Sequence, residues 1–230
     1  MVTGLVGELP DGWTEIPLAD VCVLRAGPST PPDSGGSVAI VKPRNLADGR
    51  ITGAVDRMTE QAAARLSAYR LAPGDVICVR TGALGRNALV TDEHEGSVFG
   101  SGVIRLRPDD RVDPRYLNHY LSHPAVRGWL ARNSSGTAVP SISTRSMGVL
   151  PVALAPLDTQ RRIGDALGAL DDKIAVHERI RQATLELRDT LLPLLMSGVG
   201  EPGAVEQAGG VQFEDLMPSR ARSADGARPA

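Results

Sequence analysis

Residues 158–197, with the sequence DTQRRIGDALGALDDKIAVHERIRQATLELRDTLLPLLMS, decide the architecture of this protein. Mostly apolar side chains recur here at spacings of four and three residues from 163 to 177, and the pattern resumes after a one-residue offset from 180 to 194, which is typical of a long amphipathic helix. We assign residues 158–198 to that helix, with Asp158 as its N-cap and Pro193 as a position where it bends or ends. The stripe comprises Ile163, Leu167, Leu170, Ile174, Ile180, Leu187 and Leu191. A helix this long buries its stripe against a partner helix or against its own domain, and its length favours the partner helix.

The preceding residues, 11–157, predict a mixed α/β domain. Short β-rich runs at residues 38–41, 75–79, 87–91 and 98–106 are separated by turn-forming clusters. Thr59 is expected to cap a helix over residues 60–69, and Pro114 and Pro124 to open two more helices. Residues 199–230 are rich in Gly, Ala, Pro, Ser and Arg and predict a disordered tail. The predicted class is α+β: a mixed domain at 11–157, a coiled-coil-type helix at 158–198 and a tail at 199–230.

Composition narrows the class of protein. The 230 residues carry 25 basic and 27 acidic side chains and are 42% hydrophobic, enough for a folded core. No apolar run approaches the ~20 residues of a membrane span, and the N-terminus does not resemble a signal peptide, so we expect a cytoplasmic protein. Cys22 and Cys78 lie in apolar runs and are expected to be buried free thiols.

Known catalytic motifs are missing from the sequence. The lysines, Lys42 and Lys173, do not follow glycine, so no phosphate-binding P-loop is present. No dinucleotide-binding glycine motif, nucleophile elbow or adenine-methylase tetrad occurs either. His119 and His123 lie one helical turn apart, but no nearby carboxylate completes a metal site. We predict no catalytic residue and no metal site, with the Asp171-Asp172-Lys173 run leaving a metal-dependent nuclease as an alternative.

Charge is unevenly distributed along the chain. Residues 115–157 contain arginines but no carboxylate, and they include a Ser/Thr/Gly-rich loop at 133–145. Two more loops, at 42–45 and 80–87, combine arginine with asparagine after apolar strands. Arginine, hydroxyl and backbone N–H groups contact phosphates, and arginine and asparagine recognise base edges. The predicted DNA-binding residues are Lys42, Arg44, Asn45, Arg80, Thr81, Arg86, Asn87, Ser134, Ser135, Thr137, Ser141, Ser143, Thr144 and Arg145.

Each of these loops also has a purely structural interpretation. A charged, glycine-containing loop is often solvated surface, and Ser143 or Thr144 could cap a following helical turn. The sequence alone does not establish whether the three loops converge in space.

The order of motifs resembles a known family. The matching segments are GW at 12–13, LADV at 18–21, LADGRI at 46–51, LAPGDVI at 71–77, RTG at 80–82, SGT at 135–137, PLDTQRRI at 156–163 and LRDTLLP at 187–193. Together they resemble the specificity (S) subunits of type I restriction–modification systems, over residues 11–198.

The resemblance implies a target recognition domain that binds one half of a split site in double-stranded DNA. It also implies that the long helix acts as a spacer and docks adenine-methyltransferase (M) subunits, and through them the restriction (R) subunit. Methylation and cleavage, with S-adenosylmethionine, ATP and Mg²⁺, would then belong to the partner subunits, and this chain would hold no cofactor.

One departure from the family pattern matters. The usual member carries two recognition domains and two helices, whereas this chain has one of each and no internal repeat. It therefore looks like a half-length S subunit, expected to pair as a homodimer, helix against antiparallel helix, on a symmetric split site. Pairing with a different half-subunit and a scaffold role without DNA specificity remain alternatives.

Overall fold

The computed structural model of the protein describes residues 2–32, 36–136 and 138–197. The chain divides into two compact units, residues 1–171 and residues 172–230. The strands are β1 (Val2–Gly4), β2 (Gly7–Leu9), β3 (Thr14–Pro17), β4 (Cys22–Ala26), β5 (Val38–Val41), β6 (Leu46–Ala47), β7 (Arg50–Ile51), β8 (Asp56–Met58), β9 (Val76–Val79), β10 (Asn87–Leu89), β11 (Val98–Phe99), β12 (Val103–Pro108) and β13 (Pro151–Leu154). The α-helices are α1 (Glu60–Ala64), α2 (Pro114–Ser122), α3 (Pro124–Arg132), α4 (Thr144–Gly148) and α5 (Leu157–Met196).

A four-stranded antiparallel sheet, in the order β10-β9-β12-β4, lies at the centre of the first unit. All four residues of β9 are buried. Val76 and Cys78 belong to one hydrophobic cluster, and Ile77 and Val79 belong to another. Both faces of β9 are therefore covered, which explains why this strand is a continuous apolar run rather than an alternating one.

The larger cluster lies between this sheet and the helices α2, α3 and α4. Two tyrosines of α2 tie it to β13: the hydroxyl of Tyr116 donates to Ala153 O at 2.7 Å, and that of Tyr120 donates to Pro151 O at 2.8 Å. Burial raises the pKa of the Tyr120 hydroxyl to about 12. The hydroxyl is therefore protonated at neutral pH and can donate this hydrogen bond.

Smaller sheets complete the unit. The three-stranded sheet β11-β5-β8 pairs β5 in parallel with β11 and antiparallel with β8. β13 pairs antiparallel with β3, which brings the strand before α5 next to residues 14–17. The pairs β1-β2 and β6-β7 are short antiparallel ribbons.

Several local predictions are confirmed. The run at 38–41 is β5, the side chain of Thr59 caps α1 by accepting from Ala62 N, and Pro114 and Pro124 start α2 and α3. Cys22 and Cys78 are buried and free, and burial raises the pKa of Cys22 to about 12.

Among the helices of the described residues, none combines the length and the apolar character that a membrane span requires.

Two predicted elements are divided in the structure. The run at 98–106 forms β11 and β12 with a turn between them, because Gly102 takes a positive φ of 84°. The helix expected over 60–69 ends as α1 at Ala64, and a separate 3₁₀ turn covers Ser67–Tyr69.

The long helix α5 differs from its prediction at both ends. It begins at Leu157, so Asp158 lies in its first turn rather than at the N-cap, where a carboxylate still favours the helix dipole. Pro193 lies inside the helix and does not end it. The tail predicted at 199–230 lies outside the described residues.

The first turns of α5 pack on the N-terminus of α2. Gln160 is 1% exposed; its Oε1 accepts from Asp113 N at 2.9 Å, and its Nε2 donates to Arg111 O and Ala155 O at 3.0 and 2.9 Å. Gly164 lies so close to Tyr116 N that a Cβ there would be 3.0 Å from it.

The predicted apolar stripe of α5 divides into two parts. Ile163 packs against the larger hydrophobic cluster, which corrects its assignment to a partner contact. Later members are exposed, with Leu170, Ile174, Ile180 and Leu187 at 56%, 65%, 55% and 48%, and Leu167 at 39%. Leu191 is of intermediate exposure. The apolar side chains of α5 beyond Ile163 are thus left largely uncovered by the chain's own described residues.

Candidate nucleic-acid interface

The three polar loops predicted to bind DNA lie at one end of the central sheet. The antiparallel pairing puts the end of β9 at Val79 beside the start of β12 at Val103, and the end of β4 at Ala26 beside Ile104. The loop at 80–87 leaves this edge from β9 and returns to it as β10. We call these segments loop 42–45, loop 80–87 and loop 133–145.

Loop 80–87 is hydrogen-bonded directly to loop 133–145. Ile142 N donates to Arg80 O, and Gly82 N donates to Pro140 O, both at 2.8 Å. The hydroxyls of Thr81 and Ser141 lie 3.4 Å apart. Two segments separated by about sixty residues therefore form one surface.

Loop 42–45 reaches the same surface through the turn at Gly102. Arg80 N donates to Gly102 O at 2.8 Å, and Gly102 packs so closely on Pro43 that a Cβ would overlap the proline ring. Glycine is needed here both for the positive φ and for this close approach.

Uncompensated positive charge is concentrated on this surface. Arg80 and Arg86 are partly exposed and Arg145 is exposed, and none of the three forms an ion pair with a described residue. The side chain of Arg127, in α3, lies against Gly85, with its Cγ at 3.0 Å from the Cβ that a larger residue would carry. The sequence prediction missed Arg127, although the absence of carboxylates in residues 115–157 was a signal for it.

The cations of loop 42–45 are partly neutralised. Lys42 Nζ lies 2.7 Å from Asp56 Oδ2, and the guanidinium of Arg44 pairs with the other oxygen of the same carboxylate. Hydrogen bonds from Lys42 and then Arg44 lower the pKa of Asp56, so the carboxylate stays ionised between its two cations. This loop contributes less net positive charge than loop 80–87.

Asn45 and Asn87, predicted to meet base edges, are instead buried structural residues. Asn45 is 1% exposed; its Oδ1 accepts from Lys42 N at 3.0 Å and its Nδ2 donates to Ala54 O at 2.9 Å. Asn87 is 3% exposed; its Nδ2 donates to Asn118 Oδ1 at 2.7 Å, and its Oδ1 accepts from the hydroxyl of Ser122 at 3.1 Å. Their amides are occupied internally and hold the loops in place.

The hydroxyls of loop 133–145 have mixed roles. Ser143 caps α4 by accepting from Ser146 N at 2.9 Å, which confirms the alternative considered for it. Ser134 donates to Ala131 O at 2.8 Å, and Ser135 pairs through its backbone with Ser141. Thr144 is the first residue of α4 and half-buried, and Thr137 lies outside the described residues.

His119, His123 and the Asp171-Asp172-Lys173 run do not form a metal centre in the described part of the chain. Among the described residues, no three His, Cys, Asp or Glu side chains lie close enough together to hold a metal ion. His123 accepts from Ala125 N at 3.2 Å as the N-cap of α3. His119 Nδ1 lies 3.7 Å from Asp171 Oδ2.

The family model described as the type I restriction modification DNA specificity domain matches residues 10–186. The chain belongs to this family.

Relatives of this specificity domain include two curated proteins. The specificity subunit of the StySPI enzyme from Salmonella potsdam is 24% identical over 206 residues, covering 84% of this chain and 44% of that protein. The EcoKI specificity subunit from Escherichia coli strain K12 is 22% identical over 206 residues, with the same coverage of 84% and 44%. The specificity domain described here thus spans about half the length of these relatives.

Solved structures share its fold. The S subunit of a type I restriction-modification system from M. genitalium superposes with a TM-score of 0.59 at 14% identity, covering 83% of this chain and 48% of the other. The HsdS subunit from Thermoanaerobacter tengcongensis gives a TM-score of 0.55 at 23% identity, covering 75% and 40%. A mixed-sheet domain followed by a long helix is therefore the fold of this family.

Proposed function

We propose that this specificity domain recognises one half of a bipartite site in double-stranded DNA as part of a type I restriction–modification complex. The observation that carries the proposal is the convergence of loops 42–45, 80–87 and 133–145 at one end of the sheet. There Arg80, Arg86 and Arg145 have no carboxylate partner among the described residues. Arginines held without counter-charges by hydrogen-bonded loops suit contacts to phosphates and to guanine edges.

Different residues of this surface have different roles: base contacts, phosphate contacts and positioning of the loops. Arg80 is the strongest candidate for base contacts because its backbone N–H and C=O are fixed by Gly102 and Ile142. Arg127 and Arg145 lie on the helices bordering the loops and suit phosphate contacts. The buried amides of Asn45 and Asn87 position the loops without contacting bases.

We also propose that the exposed apolar face of α5 pairs with a second copy and docks methyltransferase subunits. Leu170, Ile174 and Ile180 are more than half exposed, and leucine and isoleucine at these spacings are stabilised by packing against another helix. Antiparallel pairing of two copies would present two recognition domains to a symmetric split site.

Under this proposal the chain is not catalytic. S-adenosylmethionine, ATP and Mg²⁺ would be bound by the methyltransferase and restriction subunits. If the purified chain with Mg²⁺ cleaves DNA and Asp171→Asn abolishes the cleavage, the alternative of a metal-dependent nuclease is correct instead.

DNA recognition is tested in the complex of the full chain with its cognate methyltransferase. Mapping methylated adenines in the host genome gives the site, its gap and its symmetry. Fluorescence anisotropy at several salt concentrations should then show salt-dependent, sequence-dependent binding that the Arg80→Ala variant reduces by about 1–3 kcal/mol for the cognate site. The Arg161→Ala variant, at the start of α5, is the matched control. Wild-type complex without preference for the methylated site would leave only a scaffold role.

Pairing is tested by light scattering. The chain should be dimeric at micromolar concentration, and replacing Leu170 and Ile174 together by Asp should make it monomeric because each change places an unpaired charge in the interface. Gln182→Asp, at a polar exposed position of the same helix, is the control and should stay dimeric. A wild-type chain that is monomeric both alone and with methyltransferase bound would contradict the pairing.

A further inference from the structure

A second positively charged surface lies on the face of the central sheet opposite the helices. Arg25 of β4 and Arg105 of β12 are direct register partners, and Arg107 follows on the same face of β12. Like charges placed directly opposite in a sheet are mutually destabilising. Such a pair needs compensation from elsewhere.

The protein itself compensates this cluster only in part. The buried carboxylate of Asp75 forms a bidentate pair with Arg107, at 2.7 and 2.8 Å. No carboxylate of the described residues forms an ion pair with Arg25 or Arg105. The surface keeps positive charge that Asp75 does not neutralise.

The side chain of Arg105 is buried beneath this surface. It is 5% exposed, its Nη1 donates to Arg70 O at 3.2 Å, and its Nε has no hydrogen-bond partner in the part of the chain that the structure describes. Burial, and then the nearby charge of Arg107, lowers its pKa. A buried guanidinium with an unpaired donor is costly and adds a fixed positive potential under the sheet face.

Arg25 and Arg107 are the exposed members of the cluster, and of these two only Arg107 is paired with a carboxylate of the described residues. The guanidinium carbon of Arg25 lies 5.5 Å from the centre of the Tyr69 ring. Tyr69 contacts Phe99 edge-on at 5.7 Å, and Phe99 in turn lies 5.6 Å from the Arg105 guanidinium carbon. These cation–π contacts help to hold both guanidiniums in place, and a cation–π contact does not use the N–H donors of an arginine in hydrogen bonds.

This charged surface adjoins the end of the sheet where loops 42–45, 80–87 and 133–145 meet. Arg25 immediately precedes Ala26, the last residue of β4, and Gly27 N donates to Val103 O at 2.9 Å. A Cβ on Gly27 would overlap the carbonyl of Gly100. Gly100 lies in the same turn as Gly102, whose carbonyl accepts from Arg80 N of loop 80–87. Val23, two residues before Arg25 on the same sheet face, is 60% exposed, so this part of the sheet is open.

We propose that Arg25, supported by Tyr69 and the buried Arg105, is a contact for a DNA phosphate outside the base pairs that the loops recognise. This proposal rests on the proposed function, since it requires that DNA binds to loops 42–45, 80–87 and 133–145. A guanidinium that is held over an aromatic ring loses little conformational entropy on binding a phosphate oxygen. Such a contact adds affinity without sequence preference.

The test compares Arg25→Ala with wild type in the methyltransferase complex, on cognate and unrelated duplexes of equal length, from low to high salt. The variant should weaken binding to both duplexes by the same factor and reduce the slope of log K against log salt by about one. A fourfold rise in salt should therefore weaken the variant about fourfold less than the wild type. Arg25→Lys, which keeps the charge, should retain the wild-type slope, and Arg161→Ala should not change it.

The outcomes separate this proposal from the proposed function. Wild type that does not distinguish the cognate duplex overturns the proposed function. Wild type that does distinguish it, together with an unchanged slope for Arg25→Ala, overturns only the Arg25 contact. A variant that loses methyltransferase subunits in size-exclusion chromatography while the slope is unchanged also overturns it, because a protein partner would then cover the surface. Thermal unfolding of both variants, expected to match wild type, verifies that they are folded.

Discussion

Replacing Gln160 by Met should destabilise the first unit measurably. Gln160 is buried where α5 begins, and it makes three hydrogen bonds to main-chain groups, to Asp113 N, Arg111 O and Ala155 O. Methionine keeps the length and approximate volume of the side chain, so the change removes the hydrogen bonds without opening a large cavity.

The magnitude follows from these three bonds. Each intramolecular hydrogen bond contributes about 1 kcal/mol net, and a partner left unsatisfied in a buried position costs about 1–3 kcal/mol. Water can reach the partly buried Asp113 N and Arg111 O more readily than the buried Ala155 O. The expected loss is therefore about 3 kcal/mol in the free energy of unfolding, or about 6–12 °C in Tm for a unit of this size.

Urea and thermal unfolding followed by circular dichroism measure this loss. Gln182→Met is the matched control, because Gln182 lies on the same helix but is exposed and bonds only to the side chain of Glu186, at 2.9 Å. The control should change the free energy of unfolding by less than about 0.5 kcal/mol. If Gln160→Met is as stable as the control, the main-chain bonds of Gln160 do not hold α5 to the domain, and the reasoning is wrong.

Three further substitutions test the packing of α5 and the role of a buried amide. Gly168→Ala should raise the free energy of unfolding by up to about 1 kcal/mol because nothing lies within 4 Å of its Cβ position, whereas Gly164→Ala should gain nothing or lose about 1–2 kcal/mol against the α2 backbone. Equal stabilisation of both variants in urea unfolding would show that α5 does not pack on α2 so closely. Asn87→Ala should cost about 2 kcal/mol and leave the ratio of cognate to unrelated DNA affinity unchanged. A changed ratio at unchanged stability would restore Asn87 as a base-contacting residue.

Local features of the fold could be predicted because they depend on neighbouring residues. Thr59 as a cap, prolines at the first positions of α2 and α3, and the apolar strand at 38–41 all appear as expected. The stripe of α5 was equally visible, since helical periodicity fixes which side chains share a face.

The predicted site was less complete, because a residue type does not specify its burial. Asn45 and Asn87 have the right chemistry for base edges, yet their amides are consumed by main-chain and side-chain partners within the fold. Arg127 has no special motif around it, and only its contact with Gly85 brings it to loop 80–87.

The sequence by itself determined the kind of protein: a mixed α/β domain followed by one long helix with an apolar stripe, together with three polar loops. Only the tertiary structure decided that these loops meet, through the hydrogen bonds between residues 80–82 and 140–142 and the packing of Pro43 on Gly102. The physical reason is that strand register and long-range pairing depend on packing between residues far apart in the chain, which no local pattern contains. The same register placed Arg25 opposite Arg105 and thereby created a charged surface that the sequence did not reveal.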